Sequence, residues 1–358
     1  MATKSGRTIS SNKPFSLKEL ILRWEALLVL IFLAVNIMNI SISPYYLNAR
    51  NLFTNINNFM DKAMIALPMA FILLLGDIDL SVGGNVCLSA TVLGIVYNST
   101  GNIWYGILAC LATGVICGAL NGFIMTKFTE LAPMIVTLAT NIVFRGLSER
   151  ILGDGSTGGM SSIPWFSKIY YGRLFKMIPY PIIIFFVLAI IFGLVMHKTV
   201  FGRQMFAIGS NKKAAAYAGI KVEKVRMIVF TLTGLMCGFA AIFYCSKLGS
   251  VKSDVADGFE LEAISMCVLG GISTDGGKGT MIGAIISIFI IGLLRYGLGL
   301  INLSGQTIRI ITGALLIAVV LYPTIQNAIK NRKKGALSIW YARVRVHIKT
   351  KFERKTKK

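Results

Sequence analysis

The sequence predicts an all-α fold: a polytopic helical membrane protein of about ten transmembrane helices, with both termini in the cytoplasm. Of its 358 residues 55% are hydrophobic and only 15% charged, and the mean hydropathy is +0.70, far from the balance of a soluble domain. Apolar runs of roughly 20 residues, the length a helix needs to cross a bilayer core, recur along most of the chain. The formal net charge of +22 sits mainly at the two ends and in one central stretch, as the positive-inside rule requires of cytoplasmic segments.

Residues 1–23 form a basic cytoplasmic segment carrying Lys4, Arg7, Lys13, Lys18 and Arg23. The apolar run at 24–43 is longer than the roughly 7–15 residues of a signal-peptide core and has no cleavage site, so it reads as the first span. An Asn-rich outer segment at 44–62 precedes a second span, 63–75, which breaks at GDIDLSVGG; a short third span covers 85–97. In the fourth span, 104–126, the small residues Gly114, Gly118, Ala119 and Gly122 let helix backbones approach closely. Pro133 suits a first helical turn and opens a fifth span to 147. Residues 148–177 read as a Gly-rich outer loop, 179–196 as the sixth span and 225–244 as the seventh. Glu260 and Glu262 begin the eighth, where carboxylates favour a helix N-terminus, and it ends at GGISTDGGKGT. The ninth and tenth spans are expected at 281–299 and 307–324. A transmembrane domain over 24–328 is thus flanked by the N-terminal segment and a basic cytoplasmic tail, 329–358.

The central stretch, 197–226, is the one long polar and basic segment between apolar spans. Ser210 or Asn211 can cap a short Ala-rich helix, and Gly219 suits the left-handed residue that ends one. Two turns of helix are not stable alone in water, so this helix must pack on its own domain or dock on another protein. The alternative is a solvated loop whose Lys and Arg residues merely obey the positive-inside rule. In GDIDLSVGG, Asp77 and Asp79 fall inside apolar sequence; they either cap and pack the third span together with Ser81, or line a transport path.

Other chemistries find little support. GGISTDGGKGT fails the phosphate-loop pattern because Lys278 precedes Gly279 rather than Ser or Thr, so no ATP is expected on this chain. The six cysteines lie in or beside apolar segments without a C-x-x-C pair and read as small buried hydrophobes. With two histidines, both in basic stretches, neither a zinc site nor a catalytic constellation is expected. The positive charge is placed for lipid headgroups, not for nucleic acid.

Three segments in order, GDIDLSVGG at 76–84, FGRQMFAIGSNKKAAAYAGIKVEKVR at 201–226 and FELEAISMCVLGGISTDGGKGTMIGA at 259–284, together resemble the permease subunits of bacterial sugar ABC importers of the ribose, xylose and autoinducer-2 type. The wider family includes nucleoside and branched-chain amino-acid permeases. The resemblance implies a multi-pass protein of the bacterial cytoplasmic (inner) membrane that carries a small sugar or sugar-like solute. It also implies a second permease chain, identical or not, two ATP-binding subunits that hold the ATP and Mg, and an extracytoplasmic solute-binding protein. The coupling loop of that family matches 202–220, and the resemblance assigns contact with the ATP-binding subunit to Gly202, Arg203, Gly209, Asn211, Ala214, Ala215, Ala216 and Gly219. Asp77, Asp79, Ser81 and Glu262 are the candidates for the path or its gate. Two features depart from the family pattern: Asp77 stands where many relatives have a small or polar residue, and the basic tail is longer than usual. The rival class is an ion-coupled secondary transporter, for which Asp77 and Asp79 would be the only relay.

Overall fold

The computed structural model describes residues 24–321 other than 45, 154, 302, 308–309, 312, 315–316 and 318–320. The basic segments expected at 1–23 and 329–358 lie outside the described residues. The chain divides into two compact units, Met1–Asn302 and Leu303–Lys358. In the second, every described position from Gly305 to Leu321 is helical, and the Ser304 hydroxyl accepts from the backbone N–H of Thr307 (3.3 Å), a capping contact.

The described part of the first unit is helices joined by turns and loops, with one hairpin of two-residue strands, β1 (Arg173–Leu174) and β2 (Ile178–Pro179), and an isolated bridge between Thr157 and Val251. Among the described residues five helices are long and apolar enough to cross a membrane: α1 (Trp24–Ile42), α5 (Ile103–Lys127), α8 (Tyr180–Lys198), α11 (Val222–Leu248) and α13 (Met281–Leu300). A sixth is available if α2 (Ala49–Asn57) and α3 (Met60–Leu74), which meet at a 54° bend, are taken as one span. Length and apolar composition thus mark five or six crossings among the described residues, against the about ten expected. α12 (Phe259–Leu269) replaces the expected eighth span, and its eleven residues reach only about 16 Å, half the bilayer core. α4 (Val82–Thr100) and α6 (Pro133–Leu152) have the length but bury Asn85, Ser89 and Thr91 or Thr137, Thr140 and Asn141.

The two short helices end alike. At the end of α3, Gly76 has φ +75°, its N–H bonds Leu73 O (2.9 Å) and that of Asp77 bonds Ile72 O (3.2 Å). At the end of α12, Gly271 has φ +85°, its N–H bonds Val268 O (2.9 Å) and that of Ile272 bonds Cys267 O (3.1 Å). Both are Schellman closures, which consume carbonyls that a helix ending inside a membrane domain would otherwise leave bare.

Packing centres on α5 and α11, which touch through glycine. A Cβ on Gly114 would stand 2.5 Å from Gly234 O and one on Gly118 2.5 Å from Phe230 O, closer than side chains allow. The small-residue face expected on the fourth span is this contact. Gly118→Leu is expected to force α5 from α11 and to destabilise the fold by about 1–3 kcal/mol or more, read as a lowered melting temperature in detergent. Gly146→Leu, where a Cβ would meet nothing within 4 Å, should melt like the parent. Equal melting of all three proteins would refute the packing argument. All six cysteines are buried and unbridged, as their apolar surroundings suggested.

Two other regions differ from the sequence reading. The expected loop at 148–177 contains the end of α6, a single 3-10 turn (Met160–Ser162), α7 (Pro164–Tyr171) and the hairpin. α7 is seated by the Ser246 hydroxyl, which donates to Phe166 O (2.6 Å) and accepts from Tyr170 N–H (3.1 Å); such long-range ties leave no local pattern. Most of the expected soluble island is ordered helix as well: α9 (Val200–Ser210) buries Gly202, Met205 and Ile208 against the membrane helices.

Candidate functional site

The three motifs meet at one end of the helix bundle. α3 brings Leu74, Gly76 and Asp77 there, α9 ends there at Gly209 and Ser210, and the glycine loop after α12 supplies Asp275, Gly276 and Gly277. Gly277 N–H bonds Leu74 O (2.8 Å). A Cβ on Gly209 would overlap both Leu74 O and Gly277 N, and one on Gly76 would stand 3.1 Å from Asp275 O. Three backbones pass at a separation that only glycine permits. The glycine loop holds its own shape through Ser273, whose N–H bonds Lys278 O (3.0 Å) and whose hydroxyl accepts from Asp275 N–H (3.2 Å).

Asp77 is the electrostatic centre of this junction. Its side chain is 0% exposed, and its carboxylate accepts from Lys212 Nζ (2.8 Å) and Arg226 Nε (2.7 Å). Arg226, 7% exposed, also donates from Nη1 to Met125 O near the end of α5 (2.6 Å). A buried carboxylate is tolerated only when paired and hydrogen-bonded. The cations also face the partly negative C-terminal ends of α3 and α5. The acid of the first motif and two bases of the second therefore form one ion cluster, which ties α3, α5 and α11 to the short helix.

That helix is α10 (Lys212–Tyr217). Asn211 caps it, accepting from Ala214 N–H (3.0 Å). Gly219, at φ +83°, closes it with bonds from its own N–H to Ala216 O (3.0 Å) and from Ile220 N–H to Ala215 O (3.1 Å). Of the alanine run only Ala215 is buried; Ala214 and Ala216 are exposed, and Tyr217 is 93% exposed. One face of α10 rests on the bundle and the other is open.

Asp79 and Ser81 lie just beyond, in the break between α3 and α4. Asp79 Oδ1 accepts from Ser81 N–H (2.8 Å) and from the Ser81 hydroxyl (2.6 Å), and Ser81 Oγ accepts from Asn121 Nδ2 (2.7 Å). Thr137 on α6 holds the same break, accepting from Leu80 N–H (3.0 Å) and donating to Ile78 O (3.2 Å). Side chains thus replace the missing helical bonds of irregular backbone in an apolar surround. Glu262 is elsewhere, in the first turn of α12, paired with Lys62 and Arg295.

The family described as "Branched-chain amino acid transport system / permease component" matches residues 51–320. The chain belongs to this permease family. The permease is 31% identical over 301 residues to the autoinducer 2 import system permease protein LsrD of Escherichia coli strain K12, of Shigella flexneri and of Escherichia coli O157:H7. The alignments cover 83% of this chain and 91% of each relative. No solved structure matches it significantly. The family resemblance carried by the three motifs is thereby shown.

Within the permease, the predicted site residues fall into four places, Glu262 standing apart on α12. Gly209, Asn211, Ala214, Ala215, Ala216 and Gly219 surround α10, whereas Gly202 and Arg203 lie in the first turn of α9; a Cβ on Gly202 would meet the backbone of Val195 and Met196. Asp77 joins the α10 cluster rather than standing with Asp79 and Ser81. Sequence reasoning missed Lys212 and Arg226 as partners of Asp77, and Tyr217 as an exposed aromatic. The signal for Tyr217 was available, since an aromatic on the open face of a two-turn helix has no core to enter. The ion pairs were not legible, because their members are 135 and 149 residues apart.

Proposed function

We propose that the chain is the transmembrane permease subunit of an ATP-driven importer, forming the path for a sugar or sugar-like solute. The observation that carries this is α10: a capped two-turn helix with an open face, fastened by Asp77 to the end of the membrane helices. An ATP-binding subunit docks on that face, through Ala214, Ala216 and Tyr217. Closure of the nucleotide subunits moves α10, and the Lys212–Asp77–Arg226 cluster passes the motion to α3, α5 and α11 as rigid bodies. ATP and Mg belong to two such partner subunits, and this chain is not itself an enzyme.

The relatives' import of autoinducer 2, together with the family match, supports a small polar solute delivered by an extracytoplasmic binding protein, with a second permease chain completing the path. The α10 end then faces the cytoplasm, the membrane is the bacterial inner membrane, and both termini share the α10 side. The five long helices with α3, α4, α6, α12 and the span expected at 307–324 make up a ten-crossing topology. Asp79 and Ser81 belong to the scaffold of the path rather than to its wall. An ion-coupled transporter would need mobile carboxylates, but Asp77 is held by two cations and Asp79 by Ser81.

The double change Ala214→Asp with Ala216→Asp tests the docking. Both positions are exposed, so the variant should fold normally. Wild-type protein co-expressed with candidate ATP-binding subunits should retain one on pull-down, and the variant should lose it by tenfold or more, about 1.4 kcal/mol. If the folded variant retains the subunit as the wild type does, docking through α10 is wrong.

A further inference from the structure

At the opposite end of the same helices lies a second polar constellation, which the coupling role leaves unused. Lys62 in the first turns of α3, Glu262 in the first turn of α12 and Arg295 near the end of α13 converge. Lys62 Nζ donates to both carboxylate oxygens of Glu262 (3.0 and 2.9 Å), and Arg295 pairs with the same carboxylate. The three line a cavity of about 430 Å³ together with Asn55, Asn58 and Tyr296.

Charged groups inside a membrane domain are costly and face water-filled cavities or functional partners. These three come from separate elements, and none is fully buried: their side chains are 18%, 14% and 24% exposed. The Lys and Arg heads keep donors beyond those spent on Glu262. The cavity volume falls in the range of small-molecule sites, roughly 300–1,000 Å³.

We infer that this cavity is a holding site for a polyhydroxylated solute of monosaccharide size, an inference that rests on the importer reading above. Hydroxyl groups both donate and accept. They are matched by a wall that offers Lys and Arg donors beside the remaining lone pairs of Glu262, with Asn55 Oδ1 as a further acceptor and Asn58 Nδ2 as a further donor, since Asn55 Nδ2 donates to Asn51 O and Asn58 Oδ1 accepts from the Tyr170 hydroxyl. Glu262 offsets one of the two cations, and Tyr296 gives an apolar ring face to the C–H side of a sugar. Lys62 lies about 20 Å along α3 from the Asp77 cluster, so one rigid half-helix links the holding site to the coupling site.

The test uses the complete transporter, with the binding protein and the ATP-binding subunit that the wild type retains, and measures uptake of radiolabelled D-ribose, D-xylose and D-glucose. Glu262→Gln removes the charge and exchanges acceptors for donors. Gly299→Trp keeps the ion triad but obstructs the cavity, since Gly299 lines it and a Cβ there would meet nothing within 4 Å. Both variants are expected to lose about tenfold or more of the uptake, and Glu262→Gln is expected to change the ranking of the sugars as well. Wild-type uptake by Gly299→Trp, or an equal loss for every sugar in Glu262→Gln, would overturn the proposal, as would a wild-type complex that imports none of the three. Failure of the wild type to retain any ATP-binding subunit on pull-down counts instead against the docking reading, so the two failures are distinguishable.

Discussion

Asp77→Ala is expected to abolish import and to lower the stability of the permease by about 3–5 kcal/mol, the usual cost of removing one partner from a buried ion pair. Lys212 can turn to solvent, being 43% exposed. Arg226 cannot, because its side chain is buried beside α5 and its Nη1 is already committed to Met125 O. The alanine variant therefore leaves an uncompensated guanidinium in the junction. Thermal unfolding in detergent, followed by size-exclusion chromatography, reads the stability loss directly. Replacing both ends, Asp77→Asn with Arg226→Met, should recover much of the stability, since removing both charges of a buried pair is often close to neutral. It should not recover import, because α10 is then no longer tied to α3. An Asp77→Ala protein that melts with the wild type would show that the ion cluster is ornamental.

Gly209→Val should give the second large effect, and by a different cause. Gly209 is helical, so the cost is steric: a Cβ would overlap Leu74 O and Gly277 N, which are themselves bonded to each other. Overpacking of this kind costs about 1–3 kcal/mol, equivalent to a roughly 5- to 150-fold shift against the closed junction, and uptake should fall by a similar factor. Gly219→Ala provides the contrast. A Cβ there meets nothing within 4 Å, but the residue sits at φ +83°, so the cost is about 1–2 kcal/mol of left-handed strain borne by α10 alone. Gly209→Val should therefore open the contact between α9 and the glycine loop, while Gly219→Ala should only loosen the end of the short helix. Amide hydrogen exchange at Gly277 separates the two: faster in Gly209→Val, unchanged in Gly219→Ala. Unchanged exchange in both would remove the steric argument.

Much of this architecture could be read locally. The five long apolar helices follow from hydropathy, and α10 was marked at both ends by Asn211 and Gly219. The small residues of the fourth span foretold a close helix contact, though not that Gly234 on α11 would be the partner. α9 was not legible as a separate helix, because Arg203 and Gln204 interrupt the face made by Gly202, Met205 and Ile208. α12 was legible in its bounds, from Glu260 to the glycine turn, but not in how short of a bilayer core its eleven residues fall.

Hydropathy, cap residues and glycine spacing are properties of a few consecutive positions, so the chain alone established a membrane domain of apolar helices, a short capped helix in its basic stretch and three motifs in order along it. Which charges meet is a matter of distance in space. The choice of Asp77 by Lys212 and Arg226, and of Glu262 by Lys62 and Arg295, depended on the helices being assembled, because desolvation penalises each lone charge and only the folded bundle brings its counter-ion within reach.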